Sequence, residues 1–138
     1  MTKLITRTLQ TAALTIALGT GTSLAASEPT GLWYDHTGRG AVEITKCGAK
    51  LCGRLVWLKD ASNRGACGMQ IIGNVKPIAG RVWDGGWIYD PEGGTKYNVE
   101  ISPLGAEKLK VVGYAGTKLQ SETMIWRRAP ADLKRCQA

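Results

Sequence analysis

Apolar and polar residues alternate along several short segments of this chain. In residues 96–102 every second side chain is apolar, the pattern of a strand with one face in water. Residues 108–111 begin in the same way, and residues 123–126 are typical of a last strand. Alternation recurs along the chain and helical periodicity does not, so the pattern predicts an all-β fold.

Clusters of turn-forming residues separate these segments, for example Asp84-Gly85-Gly86 and Pro103-Leu104-Gly105. Short strands at this spacing, without helices between them, indicate a sandwich or a barrel. An antiparallel up-and-down barrel is preferred because closure leaves no unpaired strand edge. We expect about eight strands, at 31–35, 41–47, 51–58, 70–75, 80–84, 86–90, 95–102 and 108–115, with 121–128 as a ninth or in place of a weaker one.

The first 25 residues have the features of a signal peptide. Lys3 and Arg7 precede an apolar run at 11–18, and Ser23-Leu24-Ala25 supplies the small side chains that a signal peptidase requires. We expect cleavage after Ala25, a single β domain at 26–138, and a periplasmic or secreted protein. The alternative, a membrane anchor, needs about 20 apolar residues, and this run is much shorter.

The charge of the chain is modest and dispersed. It has 18 Lys and Arg against 11 Asp and Glu, and removal of Lys3 and Arg7 leaves a net charge of about +5. A nucleic-acid-binding face needs basic residues clustered along the phosphates, so we expect no nucleic-acid partner. Weak attraction to anionic envelope surfaces stays open, and the oligomeric state is not predicted.

Four cysteines, an even number, are typical of an exported domain with disulfides. Three pairings are possible. Cys47 and Cys52 flank a four-residue loop between two strand-like segments, which would place them opposite one another at a disulfide distance. This favours Cys47–Cys52 and, by elimination, Cys67–Cys136. A zinc site is the alternative, but C-x-x-C pairs are missing and His36 is the only histidine.

The order of tryptophan, glycine and cysteine residues resembles a known family. The resemblance is carried by Gly31-Leu32-Trp33, residues 47–58, Ile71-Ile72-Gly73, residues 83–91, Tyr97, Val112-Gly113-Tyr114 and Trp126-Arg127-Arg128. These residues are similar to those of "domain of unknown function 2147", a family of exported bacterial proteins. The resemblance implies a lipocalin-like barrel and brings no activity with it.

Lipocalin-like barrels often pair a Gly-x-Trp of the first strand with an arginine of the last. Gly31 and Trp33 fit the first part of this pattern. Arg127 or Arg128 fits the second, and we assign Arg127. The expected cation–π contact has a structural role and closes one end of the barrel.

Few residues suggest catalysis. His36 lies in a turn-like segment without an evident partner, which is typical of an exposed turn histidine. Asp84, Asp90 and Glu92 lie in glycine-rich turns, where acidic residues are ordinary turn formers, although an acid–base pair stays open. Known catalytic motifs are missing, so we expect no catalytic residue, metal or cofactor.

The aromatic residues carry the main functional signal. Five tryptophans occur in a chain without phenylalanine. Indoles can fill the core of a narrow barrel or line a cavity that takes one small ligand. For ligand contact we select Trp57, Trp83, Trp87 and Tyr97.

Three functions follow from these observations. The first is a noncatalytic binding module for a small apolar or amphipathic ligand. The second is an envelope protein whose outer face binds a glycan, peptidoglycan or a partner protein. The third is a hydrolase of unrecognised type.

Overall fold

The structure is a computed structural model that describes residues 12–17, 19 and 28–136. The predicted cleavage site after Ala25 lies outside these residues, and no helix among them is long and apolar enough to cross a membrane. The elements within this part are β1 (Gly31–Tyr34), β2 (Gly40–Cys47), β3 (Lys50–Leu58), the 3-10 helix η1 (Ala61–Ala66), β4 (Gln70–Ala79), β5 (Val82–Asp90), β6 (Thr95–Pro103), β7 (Lys108–Ala115) and β8 (Thr117–Arg128).

The eight strands of the described residues form one closed antiparallel barrel in which each strand pairs with its neighbours in sequence and β8 pairs with β1. The predicted all-β up-and-down barrel is therefore confirmed. The connections β1–β2, β3–β4, β5–β6 and β7–β8 lie at one end, which we call the open end. The other three connections and the residues before β1 lie at the opposite, closed end.

The predicted strands 80–84 and 86–90 are one strand, β5. The Asp84-Gly85-Gly86 segment predicted as a turn is an irregularity within it, where the pairing with β6 shifts register between Trp83 and Gly86. Gly85 has φ 78°, a conformation that glycine adopts without strain, and its N–H donates to the Asp84 carboxylate at 2.7 Å. A glycine pair that reads as a turn thus produces a bulge.

The apolar core fills the closed half of the barrel. Its largest fully buried side chains are Trp33 and Trp126, with 0% and 2% of their surface exposed. Inward-facing side chains from the other strands pack around them, namely Val42, Ile44, Leu51, Ile72, Val75, Val99, Ile101, Leu109 and Val111. Burial of this apolar surface is the main source of stability in the fold.

The barrel closes at a joint between β1 and β8. Trp33 and Arg128 are direct register partners, so both side chains lie on the same face, and the Arg128 guanidinium lies 3.8 Å from the Trp33 ring centroid. The assignment of Arg127 to this contact was wrong, because Arg127 is one residue out of register and points to the opposite face.

Arg128 also ties the joint to the chain on either side. Its guanidinium donates to the Thr30 carbonyl at 2.8 Å and to the Ala106 carbonyl at 3.0 Å. Gly31, with φ 121°, leaves the space that this guanidinium occupies. A cation–π pair and several hydrogen bonds therefore close a barrel whose first strand is only four residues long.

Both predicted disulfides are present. Cys47–Cys52 bridges the β2–β3 hairpin, and Cys67–Cys136 joins the segment after η1 to the C-terminal tail. The Cys136 N–H donates to the Val56 carbonyl at 2.7 Å, so the tail returns along the outside of β3 to the open end. The second disulfide thereby fixes the longest connection of the open end.

We predict that Gly31→Ala lowers the free energy of unfolding by about 2–4 kcal/mol, because alanine is strained at this φ and its Cβ would displace Arg128. Urea unfolding followed by circular dichroism measures the change. Gly38→Ala is the matched control, since Gly38 also has a positive φ but has no atom within 4 Å of the added Cβ. Equal losses in the two variants would show that the space for Arg128 does not matter.

Candidate functional site

A cavity of about 1320 Å³ occupies the open half of the barrel. It is larger than most small-molecule sites, which measure about 300–1,000 Å³. Its rim is built from the β1–β2, β3–β4 and β5–β6 connections, including η1, and from the adjacent ends of β7 and β8. The barrel is thus filled at the closed end and hollow at the open end.

Polar and apolar groups both line the cavity, and its inner wall carries the apolar side chains. This wall is the upper edge of the core, where alternation directs the apolar face of each strand to the interior. These residues are Leu55, Ile71, Ile88, Tyr97, Met124 and Trp126.

Trp126 contributes to both the core and the cavity lining. Its side chain is 2% exposed, and its Nε1–H finds no acceptor among the described residues. Leaving a buried donor without a partner costs about 1–3 kcal/mol.

Gly113 and Glu122 face each other on the inner side of β7 and β8. A Cβ at Gly113 would lie 3.9–4.0 Å from the side chains of Ile88, Met124 and Tyr97, an ordinary van der Waals contact that requires no neighbour to move. Glu122 also lines the cavity, and no hydrogen bond or ion pair joins its carboxylate to another described residue.

Turn geometry fixes two of the rim carboxylates. The Asp35 carboxylate accepts hydrogen bonds from the backbone N–H and the hydroxyl of Thr37, at 2.9 and 2.6 Å. Asp60 caps η1 and accepts from the Ser62 N–H and hydroxyl at 2.9 and 2.7 Å. These hydrogen bonds, from the Ser62 side chain first, lower the pKa of Asp60, so the carboxylate stays charged.

The β5–β6 connection supplies two more rim carboxylates. Asp90 accepts the Glu92 N–H at 2.9 Å, the turn role expected from its Asp-Pro sequence. The Glu92 carboxylate pairs with Arg39 from the β1–β2 connection at 2.9 Å, with both side chains mostly exposed. Exposed pairs of this kind contribute little to stability, so their main consequence is the charge they place at the rim.

Of the four aromatic residues selected for ligand contact, only Tyr97 lines the cavity. Tyr97 is the register partner of Ile88 and shares its inward face near the rim. Trp83 also faces the core but lies at the closed end, beside a small recess of about 170 Å³. Trp57 and Trp87 lie on the outer face of the barrel.

A bulge accounts for the position of Trp57. The β2–β3 pairing shifts register between Ala41 and Val42, so alternation along β3 slips by one residue after Leu55. Trp57 consequently faces outward and packs against Tyr34 in an edge-to-face contact, with 5.5 Å between ring centroids.

Trp87 faces outward because its neighbour Ile88 faces inward. Its indole lies across Gly73, its partner on β4, where any larger side chain would collide with the ring. The Lys96 ammonium lies 4.2 Å from the ring centroid on the other side. The sequence Ile72-Gly73 thus makes room for an indole on the barrel surface.

Among the suggested acid–base residues, Asp84 is far from the rim and belongs to a polar cluster on the outer face. Tyr114 and Lys118 donate to its carboxylate at 2.6 and 2.7 Å, and Lys118 also pairs with Glu100. Burial raises the pKa of Asp84, but the hydrogen bonds from Lys118, Tyr114 and Gly85 outweigh it and lower that pKa overall.

His36, Asp90 and Glu92 do lie together at the rim of the cavity. Within the described residues, no group of three or more His, Cys, Asp or Glu side chains is arranged to hold a metal ion.

The sequence did not lead us to predict that Glu122, Met124 and Trp126 line the cavity together. They stand at every second position of β8, and the register with β7 places all three on the inner face. The alternation of this strand was the signal, since an inward Trp126 implies an inward Glu122.

The comparisons with known proteins agree with this architecture. Residues 31–128 match the model of the family described as "uncharacterized protein conserved in bacteria", domain of unknown function 2147. The chain belongs to this family. The match covers all eight strands, from Gly31 of the closing joint to its partner Arg128.

Among solved structures, the barrel of this family member is similar to HP1028 from the human pathogen Helicobacter pylori, a protein described as belonging to the lipocalin family. The two share 15% sequence identity with a TM-score of 0.61, over 76% of this chain and 85% of HP1028. At this identity the likeness shows a lipocalin-like fold and nothing finer. No curated protein matches the chain.

We predict that Asp84→Asn lowers the free energy of unfolding by about 1–2 kcal/mol at pH 7, because it removes the charge that Tyr114 and Lys118 are arranged around. The pKa of Asp84 is lowered in the fold, so its contribution is present above its ordinary value of 3.8 and is lost as the pH falls below it. The difference between wild type and variant should therefore shrink in acid.

Denaturant unfolding at several pH values measures this dependence. Asp132→Asn is the control, since Asp132 is an exposed carboxylate in the C-terminal tail, and a change within about 0.5 kcal/mol is expected there. A constant difference for Asp84→Asn between pH 7 and pH 3 would contradict the assignment.

Proposed function

We propose that this protein is a noncatalytic binding module that takes a small apolar or amphipathic molecule into the open end of its barrel. The observation that carries the proposal is the cavity of about 1320 Å³ with an apolar wall. Apolar surface that a ligand covers is removed from water, which is the main driving force for binding of this kind.

The arrangement of the two halves supports this function. Below the cavity, the fully buried Trp33 and Trp126 fill the barrel, so a ligand enters and leaves through the rim alone. A barrel of eight strands is just wide enough to be filled by side chains or to hold one small ligand. In this chain side chains fill the closed end of the barrel, and the open end has space for a ligand.

Cys67–Cys136 supports the proposal at the rim. It connects the segment that carries η1, part of the cavity lining, to a tail whose Cys136 N–H is hydrogen-bonded to Val56 of β3. A rim held in place loses less conformational entropy when a ligand binds.

We also propose that the protein works in the periplasm or outside the cell. Two disulfides that use all the cysteines of the sequence are typical of oxidising compartments. The charged and apolar segments before Ala25 support export by a signal peptide.

Filling the cavity tests the binding function. Gly113→Phe adds a ring at a residue that lines the cavity, and we predict at least about a tenfold loss of affinity for apolar probes such as 1-decanol, with the fold retained. Isothermal titration calorimetry measures the affinity, and circular dichroism checks the fold.

Thr123→Phe is the matched control. Thr123 pairs with Val112 on the outer face of the same two strands, so the same ring is added outside the cavity. Binding should be unchanged in this variant. The proposal fails if the wild-type protein binds no apolar probe, or if both variants bind as the wild type does.

A further inference from the structure

Charges are distributed unevenly between the cavity and the rest of the chain. Of the 11 acidic residues in the sequence, five line the cavity, whereas only two of the 18 Lys and Arg residues do. The chain as a whole carries a formal charge of +7, so the cavity has the opposite sign. The acidic residues are Asp35, Asp60, Asp90, Glu92 and Glu122, and the basic ones are Arg39 and Lys59.

Most of this charge is held in the rim connections, and Glu122 adds an exposed carboxylate from the inner face of β8 close to the rim. Rim carboxylates Asp35, Asp60 and Asp90 accept hydrogen bonds within their own turns. Glu122 has no hydrogen-bond or ion-pair partner among the described residues. Its carboxylate is therefore available to a cation that enters the cavity.

Trp126 marks the base of the cavity. This indole is almost completely buried, and its N–H lacks an acceptor within the described part of the chain. It lies four residues beyond Glu122 on the same face of β8, a distance of about 13 Å along an extended strand. Met124 and the apolar wall separate the two polar groups.

We propose that the ligand is a cationic amphiphile, with an amine or quaternary ammonium group beside Glu122 and an apolar chain that extends along the wall to Trp126. The inference rests on the proposed binding function and specifies its ligand class. The cationic group would remain at the rim, where water and carboxylates share its solvation, and the chain would bury against apolar side chains.

The opposite choice, an anionic amphiphile such as a fatty acid, would place a carboxylate among five others. Only Arg39 and Lys59 offset them at the cavity, and Arg39 is already paired with Glu92. Like charges in a partly enclosed site repel more strongly than in bulk water. The net positive charge of the chain therefore favours anions only away from the cavity.

Three probes that differ in the head group test the proposal, namely decylamine, 1-decanol and decanoate. Their ten-carbon chains are comparable with the distance of about 13 Å from Glu122 to Trp126. At pH 7 in low salt we expect decylamine to bind about five- to tenfold more tightly than 1-decanol, and decanoate most weakly. Isothermal titration calorimetry below the aggregation concentration of each probe gives the dissociation constants.

Glu122→Gln should remove most of the preference for decylamine and leave the affinity for 1-decanol unchanged. Glu107→Gln is the control with the same change of charge, since Glu107 lies in the β6–β7 connection at the closed end. It should alter neither affinity. Trp126→Phe should also abolish any change in tryptophan fluorescence caused by the chain reaching the base of the cavity.

The outcomes distinguish the two levels of the proposal. If none of the three probes binds, the binding function itself fails. If they bind with equal affinity, or decanoate binds best, the binding function stands and the cationic ligand class is wrong. Equal effects of Glu122→Gln and Glu107→Gln would also overturn the inference, because they would show an effect of net charge alone.

Discussion

The whole structure depends on closure of the sheet between its first and last strands. β1 has four residues, and its pairing with β8 is formed by Trp33 with Arg128 and Tyr34 with Arg127. So short a pairing has few backbone hydrogen bonds. Arg128 compensates, because it stacks on Trp33 and donates hydrogen bonds to residues before β1 and after β6. Without this joint, β1 and β8 would be two unpaired edges of an open sheet.

The joint also determines where the cavity lies. Because Trp33 and Arg128 close one end, the two largest buried side chains are placed in the lower half of the barrel. The strands continue beyond them to the open end, where the inward position of β7 is a glycine, Gly113. A short barrel is therefore not uniformly filled. The indoles of Trp33 and Trp126 fill the closed end, and the remaining space lies at the open end.

The sequence was sufficient for the fold and for the pairing of the cysteines, because alternation and a tight hairpin are local patterns with few structural solutions. The expected four-residue hairpin loop was wrong in detail, since Cys47 lies opposite Lys50 and Cys52 opposite Thr45. It was insufficient for the tryptophans. Trp57 faces outward only because a bulge opposite Val42 shifts the alternation, and Trp87 does so because Gly73 on another strand makes room for it. The choice between Arg127 and Arg128 likewise required the register with β1. Facts that depend on pairing between strands cannot be read from one strand.

The charge of the cavity likewise cannot be predicted from the composition of the chain. The composition indicates a basic protein, and from net charge alone an anionic partner is the natural expectation. The barrel, however, brings carboxylates from three separate turns and from β8 to a single opening, while most basic residues lie elsewhere. Electrostatic selection at a concave site depends on the charges that line it more than on distant ones, because separations beyond about 10 Å are screened at moderate salt. The ligand therefore responds to the charge of the cavity, and for this barrel that charge is opposite to the charge of the chain.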